Sequence, residues 1–149
     1  TNSDGTHITQ PNPVTMQVAM EQALQLAKLE AKDIGYINAH GTATARGDVA
    51  ESHATHGVFK DQTPISSLKS YMGHTLGACG ALEAWMTINM MNEEWFAPTL
   101  NLVNVDPHCA ELDYIKDDGR ALDVDYTMSN NFAFGGINTS LIFKRVRNQ

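Results

Sequence analysis

Apolar positions fall in two rhythms along the chain, short dense runs and longer stretches in which they recur at helical spacing. After the loop signals Asp4-Gly5 and Pro11-Asn12-Pro13, the residues from Val14 to Ala31 are mostly strong helix formers. Val14, Val18, Ala23, Leu26, Ala27 and Leu29 supply their apolar face. Ile34 to Ala39 predicts a buried strand. Gly47-Asp48 opens a second helix, Val49 to Phe59, which Pro64 separates from a β-prone run, Ile65 to Leu68. The helix from Ala81 to Met91 carries almost no charge besides Glu83, which predicts burial on all sides. Trp95 to Thr99 and Asp106-Pro107 read as extended connection, Leu112 to Ile115 as a short edge strand, and Lys116 to Arg120 as a polar turn. Two further strands, Tyr126–Asn130 and Thr139–Phe143, flank a glycine-aromatic turn. This order predicts one α/β domain with a mixed five-stranded sheet flanked by helices.

The polar residues that interrupt these runs carry the candidate chemistry. His40 opens the loop His40-Gly41-Thr42-Ala43-Thr44 after one strand, and His74 stands among glycines after another. Loops at the carboxyl ends of strands are where open α/β sheets hold ligands. If the two strands are neighbours, both imidazoles face one pocket and can donate hydrogen bonds to one carbonyl oxygen, or to the oxyanion or enolate it becomes. The alternative is that each satisfies buried loop backbone. Lys69 either sits near His74, keeping it neutral by like-charge repulsion while pairing with a carboxylate such as Glu83, or is a solvated lysine. Glu83, inside an apolar helix, needs a partner. The glycines of Gly73 to Gly80 admit close approach, and the helix start behind them favours negative charge.

Composition narrows the function. At 149 residues and 42% hydrophobic, the chain is long enough to bury a core. Ten basic against 17 acidic residues, with no basic block, argue against nucleic-acid or anionic-membrane partners. Two cysteines, Cys79 and Cys109, without CxxC spacing suit a reducing compartment, so a cytoplasmic address is expected. No apolar run suits a membrane span, and Thr1 opens in mid-loop without Met or signal architecture, which reads as a piece of a longer polypeptide. His53 and His56 have no acidic or thiol partner at a recognisable spacing, so no metal is expected. The glycine turn lacks GK[ST], so neither is a nucleotide. Cys79, between Ala78 and Gly80, reads as small-residue packing rather than as a nucleophile.

Three motifs in order then carry a resemblance: Asn38-Ala39-His40-Gly41-Thr42-Ala43-Thr44 with Gly47-Asp48 and Glu51; Ser67-Leu68-Lys69-Ser70-Tyr71-Met72-Gly73-His74-Thr75-Leu76-Gly77-Ala78; and Asn130-Asn131-Phe132-Ala133-Phe134-Gly135-Gly136-Ile137-Asn138. Over nearly its whole length the chain resembles the C-terminal half of an elongating β-ketoacyl-[acyl-carrier-protein] synthase. That resemblance implies one half of the thiolase-like fold, completed by an N-terminal half, within a homodimer or heterodimer. It implies a decarboxylating Claisen condensation with malonyl held on the phosphopantetheine arm of acyl carrier protein, and no other cofactor. His40 and His74 match the histidines that bind the malonyl thioester oxygen, and Lys69 with Glu83 matches the pair that organises the site. Thr42 and Thr44 match the threonines that bind the pantetheine. Phe132, Phe134 and Gly135 lie in the gating segment, where Ala133 replaces a usual glycine. The family's nucleophilic cysteine belongs to the N-terminal half, so this half is not expected to condense alone, and its uncovered apolar surface is expected to drive association. A non-catalytic chain-length-factor-like subunit is the alternative reading, disfavoured because such subunits tend to lose the histidines. Thiolase chemistry on coenzyme A is disfavoured because thiolases carry a second cysteine in place of the gating segment.

Overall fold

The computed structural model describes residues 1–5 and 10–147. The sheet is built on a hairpin of two eight-residue strands, β6 (Tyr126–Ala133) and β7 (Ile137–Lys144), paired from Tyr126↔Lys144 to Ala133↔Ile137. Strand pairing thus runs well past Asn130, into the segment expected to be turn. The turn itself is Phe134-Gly135-Gly136, with left-handed φ of 82° and 76° at the two glycines, a conformation that side chains resist and hairpin turns require. A short strand, β2 (Tyr36–Asn38), lies parallel to β6, and β3 (Ile65–Ser66) parallel to β2. The outermost strand beside β7 is β1 (Asn2–Ser3), antiparallel to it. The sheet is mixed and five-stranded, in the order β1-β7-β6-β2-β3.

Leu112–Ile115 is not the fifth strand. It lies along the β3 edge with one parallel bridge, Tyr114 to Ile65, where Ile65 bonds to the Asp113 carbonyl and the Ile115 amide, and the Tyr114 amide bonds back to Leu112 in a tight turn that keeps the pairing from extending. Trp95–Phe96, expected as plain connection, instead forms β4 and pairs with β5 (Arg120–Ala121) in a separate two-stranded sheet.

Strand alternation divides the core. Ile37 and Met128 face a cluster with helices α1 (Pro13–Ala27) and α2 (Ala45–Phe59), which contributes Met16, Met20, Leu24, Ala50, Ala54 and Phe59. Tyr36 joins the other cluster, with Met90 and Met91 of the helix α4 (Cys79–Glu93) and with Leu68, Phe96 and Ile115. The sheet is therefore sandwiched between helical layers.

Helix α1 starts at Asn12, whose side chain accepts the Val14 amide at 3.0 Å, and stops at Lys28 in the left-handed region, short of Ala31. Its buried stripe is Met16, Ala19, Met20 and Leu24; Val14, Val18 and Leu26, expected to face the core, are exposed. The flexible methionines lie at the i, i+4 positions that meet the sheet, and they outrank the valines there. Helix α2 begins earlier than Gly47, with Thr44 at its N-cap position. Helix α4 is not buried all round. Cys79, Glu83, Thr87, Met90 and Met91 are covered, while Leu82, Trp85 and Ile88 stand 39%, 65% and 37% exposed. One stripe packs on the sheet and the opposite apolar face is open.

Candidate active site

Because β2 and β3 are adjacent and parallel, the segments leaving their carboxyl ends meet. His40 stands two residues beyond β2. His74 is not immediately past its strand: a single helical turn, α3 (Lys69–Met72), intervenes, and Gly73 at φ 73° redirects the chain. The two imidazoles nonetheless converge, with ring centroids 5.4 Å apart and planes at 90°.

Lys69 is buried, not solvated, and its partner is His40 rather than His74. Its Nζ donates to Glu83 Oε1 at 2.5 Å, to the His40 carbonyl at 2.6 Å and to His40 Nδ1 at 3.2 Å, so all three ammonium protons are used. With Nδ1 accepting, the His40 proton sits on Nε2. The Leu76 amide donates to His74 Nδ1 at 3.1 Å, which places that ring's proton on Nε2 as well. Burial, then the neighbouring Lys69 cation and His74, brings the His40 imidazole down to about 3, so it is neutral at physiological pH. Two rings this close, each carrying its proton on Nε2, can serve one oxygen.

Glu83 is wholly buried, and its second oxygen accepts from Asn131 Nδ2 at 3.1 Å and, at 3.5 Å, from Asn38 Nδ2. Asn38 also donates to Ser129 Oγ at 3.0 Å. The apolar helix tolerates this carboxylate because a lysine and two strand amides surround it. Cys79, buried in the first turn of α4, donates to Asn131 Oδ1 at 3.1 Å.

The His40 loop is clamped from α2. Glu51 accepts the amides of His40 and Gly41 on its two oxygens, each at 2.8 Å, and Asp48 accepts the Thr42 amide at 3.1 Å. Burial pushes the Glu51 carboxyl up to about 7 against the pull of those amides, and burial likewise raises Asp48. Thr42 and Thr44 present their hydroxyls 2.9 Å apart. Phe132 lies edge-on to His40 with centroids 6.0 Å apart, while Phe134 is exposed at the hairpin turn beside Gly135. A cavity of about 420 Å³ borders the other part of this loop, lined by Gly41, Thr44, Asp48, Ser67 and Thr99 among others, and does not include either histidine. Among the described residues no group of His, Cys, Asp and Glu is placed to hold a metal ion, and no helix is long and apolar enough to cross a membrane.

The four residues singled out for chemistry, His40, Lys69, His74 and Glu83, form one contiguous cluster. Glu51, Asp48, Asn38 and Asn131 were not assigned roles from the sequence. The available signal was a polar residue inside an apolar strand, for Asn38, and a carboxylate in a small-residue helix, for Glu51, whereas Asn131 fell in the segment read as turn.

The fold is thiolase-like. Over 98% of its length the chain superposes on 36% of a beta-ketoacyl synthase from Burkholderia phymatum STM815, with a TM-score of 0.96 and 68% identity. It superposes over 94% of its length on 36% of a chain in the structure of the ketosynthase ApeO with its chain length factor ApeC from Xenorhabdus doucetiae, with a TM-score of 0.87 and 36% identity. The chain belongs to the beta-ketoacyl synthases: the family's C-terminal domain matches residues 1–103. It is also 40% identical, over 97% of its length, to 3-oxoacyl-[acyl-carrier-protein] synthase 2 of Staphylococcus aureus (strain COL), and it spans 36% of that relative's length.

Proposed function

We propose that this chain is the C-terminal half of an elongating 3-oxoacyl-[acyl-carrier-protein] synthase and supplies its decarboxylation site. The right-angled pair of His40 and His74, each with its proton on Nε2, carries this reading. Malonyl on the phosphopantetheine arm of acyl carrier protein enters past Thr42 and Thr44, and its thioester oxygen accepts from both imidazoles. Loss of CO2 shifts the electron pair of the breaking C–C bond onto that oxygen as an enolate. Donors already aimed there stabilise the enolate more than the starting thioester, which lowers the barrier. The enolate carbon then attacks an acyl group held as a thioester on a cysteine of the N-terminal half, and the new C–C bond forms as the acyl C–S bond breaks and the cysteine leaves as thiolate. Lys69 fixes the His40 tautomer, and Glu83 balances its charge. Phe132 walls the pocket, and the Phe134-Gly135 turn gates it.

The test is CO2 release from malonyl-acyl carrier protein by the full-length synthase. His40→Ala and His74→Ala are each expected to slow it by about 100-fold or more, the scale of one lost oxyanion donor. Unchanged release in both variants would falsify the assignment. The chain on its own is expected to show no condensation, and acylation of Cys79, read by intact mass after incubation with an acyl thioester, would overturn that expectation. A chain-length-factor-like role is the second reading, since two structural relatives come from complexes containing such a factor. The complete His40–Lys69–His74 cluster weighs against it, and measurable decarboxylation would exclude it.

A further inference from the structure

Of the four arginines in the chain, three are engaged by carboxylates: Arg120 by Asp113, Arg145 by Glu94 and Asp123, and Arg147 by Asp123 and Asp125. Arg46 is exposed and has neither an ion-pair nor a hydrogen-bond partner among the described residues. It is also the only lysine or arginine between Ala39 and Lys60, on a chain whose formal charge is −7. The acidic side chains around it do not neutralise it. Glu51 and Asp48 are turned inward onto the amides of His40, Gly41 and Thr42. The guanidinium therefore stands free two residues beyond Thr44, at the outer end of the loop that begins with His40 and carries the paired hydroxyls of Thr42 and Thr44.

Resting on the function proposed above, the structure assigns Arg46 as the residue that binds the phosphodiester of the substrate's pantetheine arm. The arm runs from a thioester, which must reach the histidines, to a phosphate at its far end, and along the chain from half-buried His40 through the hydroxyls of Thr42 and Thr44 to exposed Arg46 the residues become more open to solvent. A planar guanidinium with no competing carboxylate matches phosphate oxygens bidentately, and at a solvent-open rim it sets substrate affinity rather than the chemical step. Arg46 is in this sense a positioning residue.

The experiment uses the full-length synthase and four forms of it: wild type, Arg46→Ala, Arg46→Lys and Arg46→Glu. Decarboxylation is followed with malonyl-acyl carrier protein, malonyl-phosphopantetheine and malonyl-pantetheine, the last lacking the phosphate. Arg46→Ala is expected to raise KM about tenfold for both phosphorylated substrates, with kcat within twofold, and to leave KM for malonyl-pantetheine unchanged. Arg46→Lys is expected to recover part of the loss and Arg46→Glu to deepen it. An equal KM rise for malonyl-pantetheine would make the effect structural and overturn the assignment. A rise confined to malonyl-acyl carrier protein would move the contact to carboxylates of the carrier and overturn it as well, as would no change with any substrate. Failure of the underlying reading looks different: wild type itself then decarboxylates none of the three.

Discussion

The Nζ of Lys69 donates both to the ring Nδ1 of His40, at 3.2 Å, and to the carbonyl oxygen of the same residue, at 2.6 Å. One ammonium thus holds the backbone and the ring of a single histidine, and Glu83 holds the ammonium. The pair is almost fully shielded from water, with side chains 5% and 0% exposed. Breaking a buried pair from one side leaves an uncompensated charge. Lys69→Met and Glu83→Leu are therefore each expected to destabilise the protein by about 3–5 kcal/mol. The double variant is expected to be more stable than either single one. Urea midpoints of the three variants decide this, and additive losses would show that the two charges do not depend on each other.

His40 makes stability depend on acidity. Its folded-state value, about 3, lies below the ordinary 6.5, so the unfolded chain binds the proton more readily. The stability tied to the neutral ring is fully present above about 6.5 and is lost as pH falls toward 3, by up to about 1.4 kcal/mol per pH unit. Glu51, raised from 4.5 to about 7, acts in the opposite sense: its contribution is present below 4.5 and is lost as pH rises through 7. The two slopes oppose each other between about 4.5 and 6.5. The expected outcome is a flat stability profile across that interval and a steep fall below it. His40→Gln is expected to reduce the fall below pH 4.5, measured by thermal melts at fixed ionic strength.

Glu51 is expected to matter for rate through the loop it clamps. Removing its carboxylate in Glu51→Ala frees two half-buried amides, of His40 and Gly41, and lets the ring drift from its partner. Decarboxylation is expected to slow by about 10- to 100-fold, the scale on which a misplaced catalytic group costs rate. Substrate KM is expected to move little. A variant with unchanged kcat would show that Lys69 alone fixes the histidine.

Gly41 is held at φ 40°, and a Cβ there would lie 2.6 Å from Ser67 Cβ and Oγ. Neither the backbone conformation nor the space admits a side chain. Gly41→Ala is expected to cost about 1–3 kcal/mol in denaturant melts and to reduce decarboxylation by displacing the adjoining His40. Wild-type behaviour in both measurements would mean that the loop can refold around the methyl group.

The open face of α4, with Leu82, Trp85 and Ile88, is expected to make the isolated chain self-associate. Sedimentation of the chain should show association that weakens with Trp85→Lys together with Leu82→Lys. Monomeric behaviour of the unsubstituted chain at tens of micromolar, on the order at which such faces associate, would count against an uncovered interface.

The three long helices, the strands at Ile37, Ile65, Met128 and Leu141, and the positions of His40, Lys69, His74 and Glu83 between them were legible in the residues, because dense apolar runs, glycine placement and buried-charge rules act over short stretches of chain. Which face of a helix is covered was not. Val14 and Val18 against Met16 and Met20 is decided by what the sheet presents, and Trp85 lies open for the same reason. The fifth strand likewise passed from Leu112–Ile115 to Asn2–Ser3, since pairing depends on a partner more than a hundred positions away in sequence.

The sequence by itself placed an imidazole after each of two strands and put a carboxylate that needs a partner inside an apolar helix, leaving open whether Lys69 pairs with it or is solvated. Only the tertiary structure decided that β2 and β3 are neighbours, that Lys69 turns to His40 and not to His74, and that Glu51 and Asn131 complete the network. Covalent order and local propensity set what each segment becomes. Hydrogen-bond partners across 10 to 50 residues of sequence are set by strand register and helix packing, which no local pattern encodes.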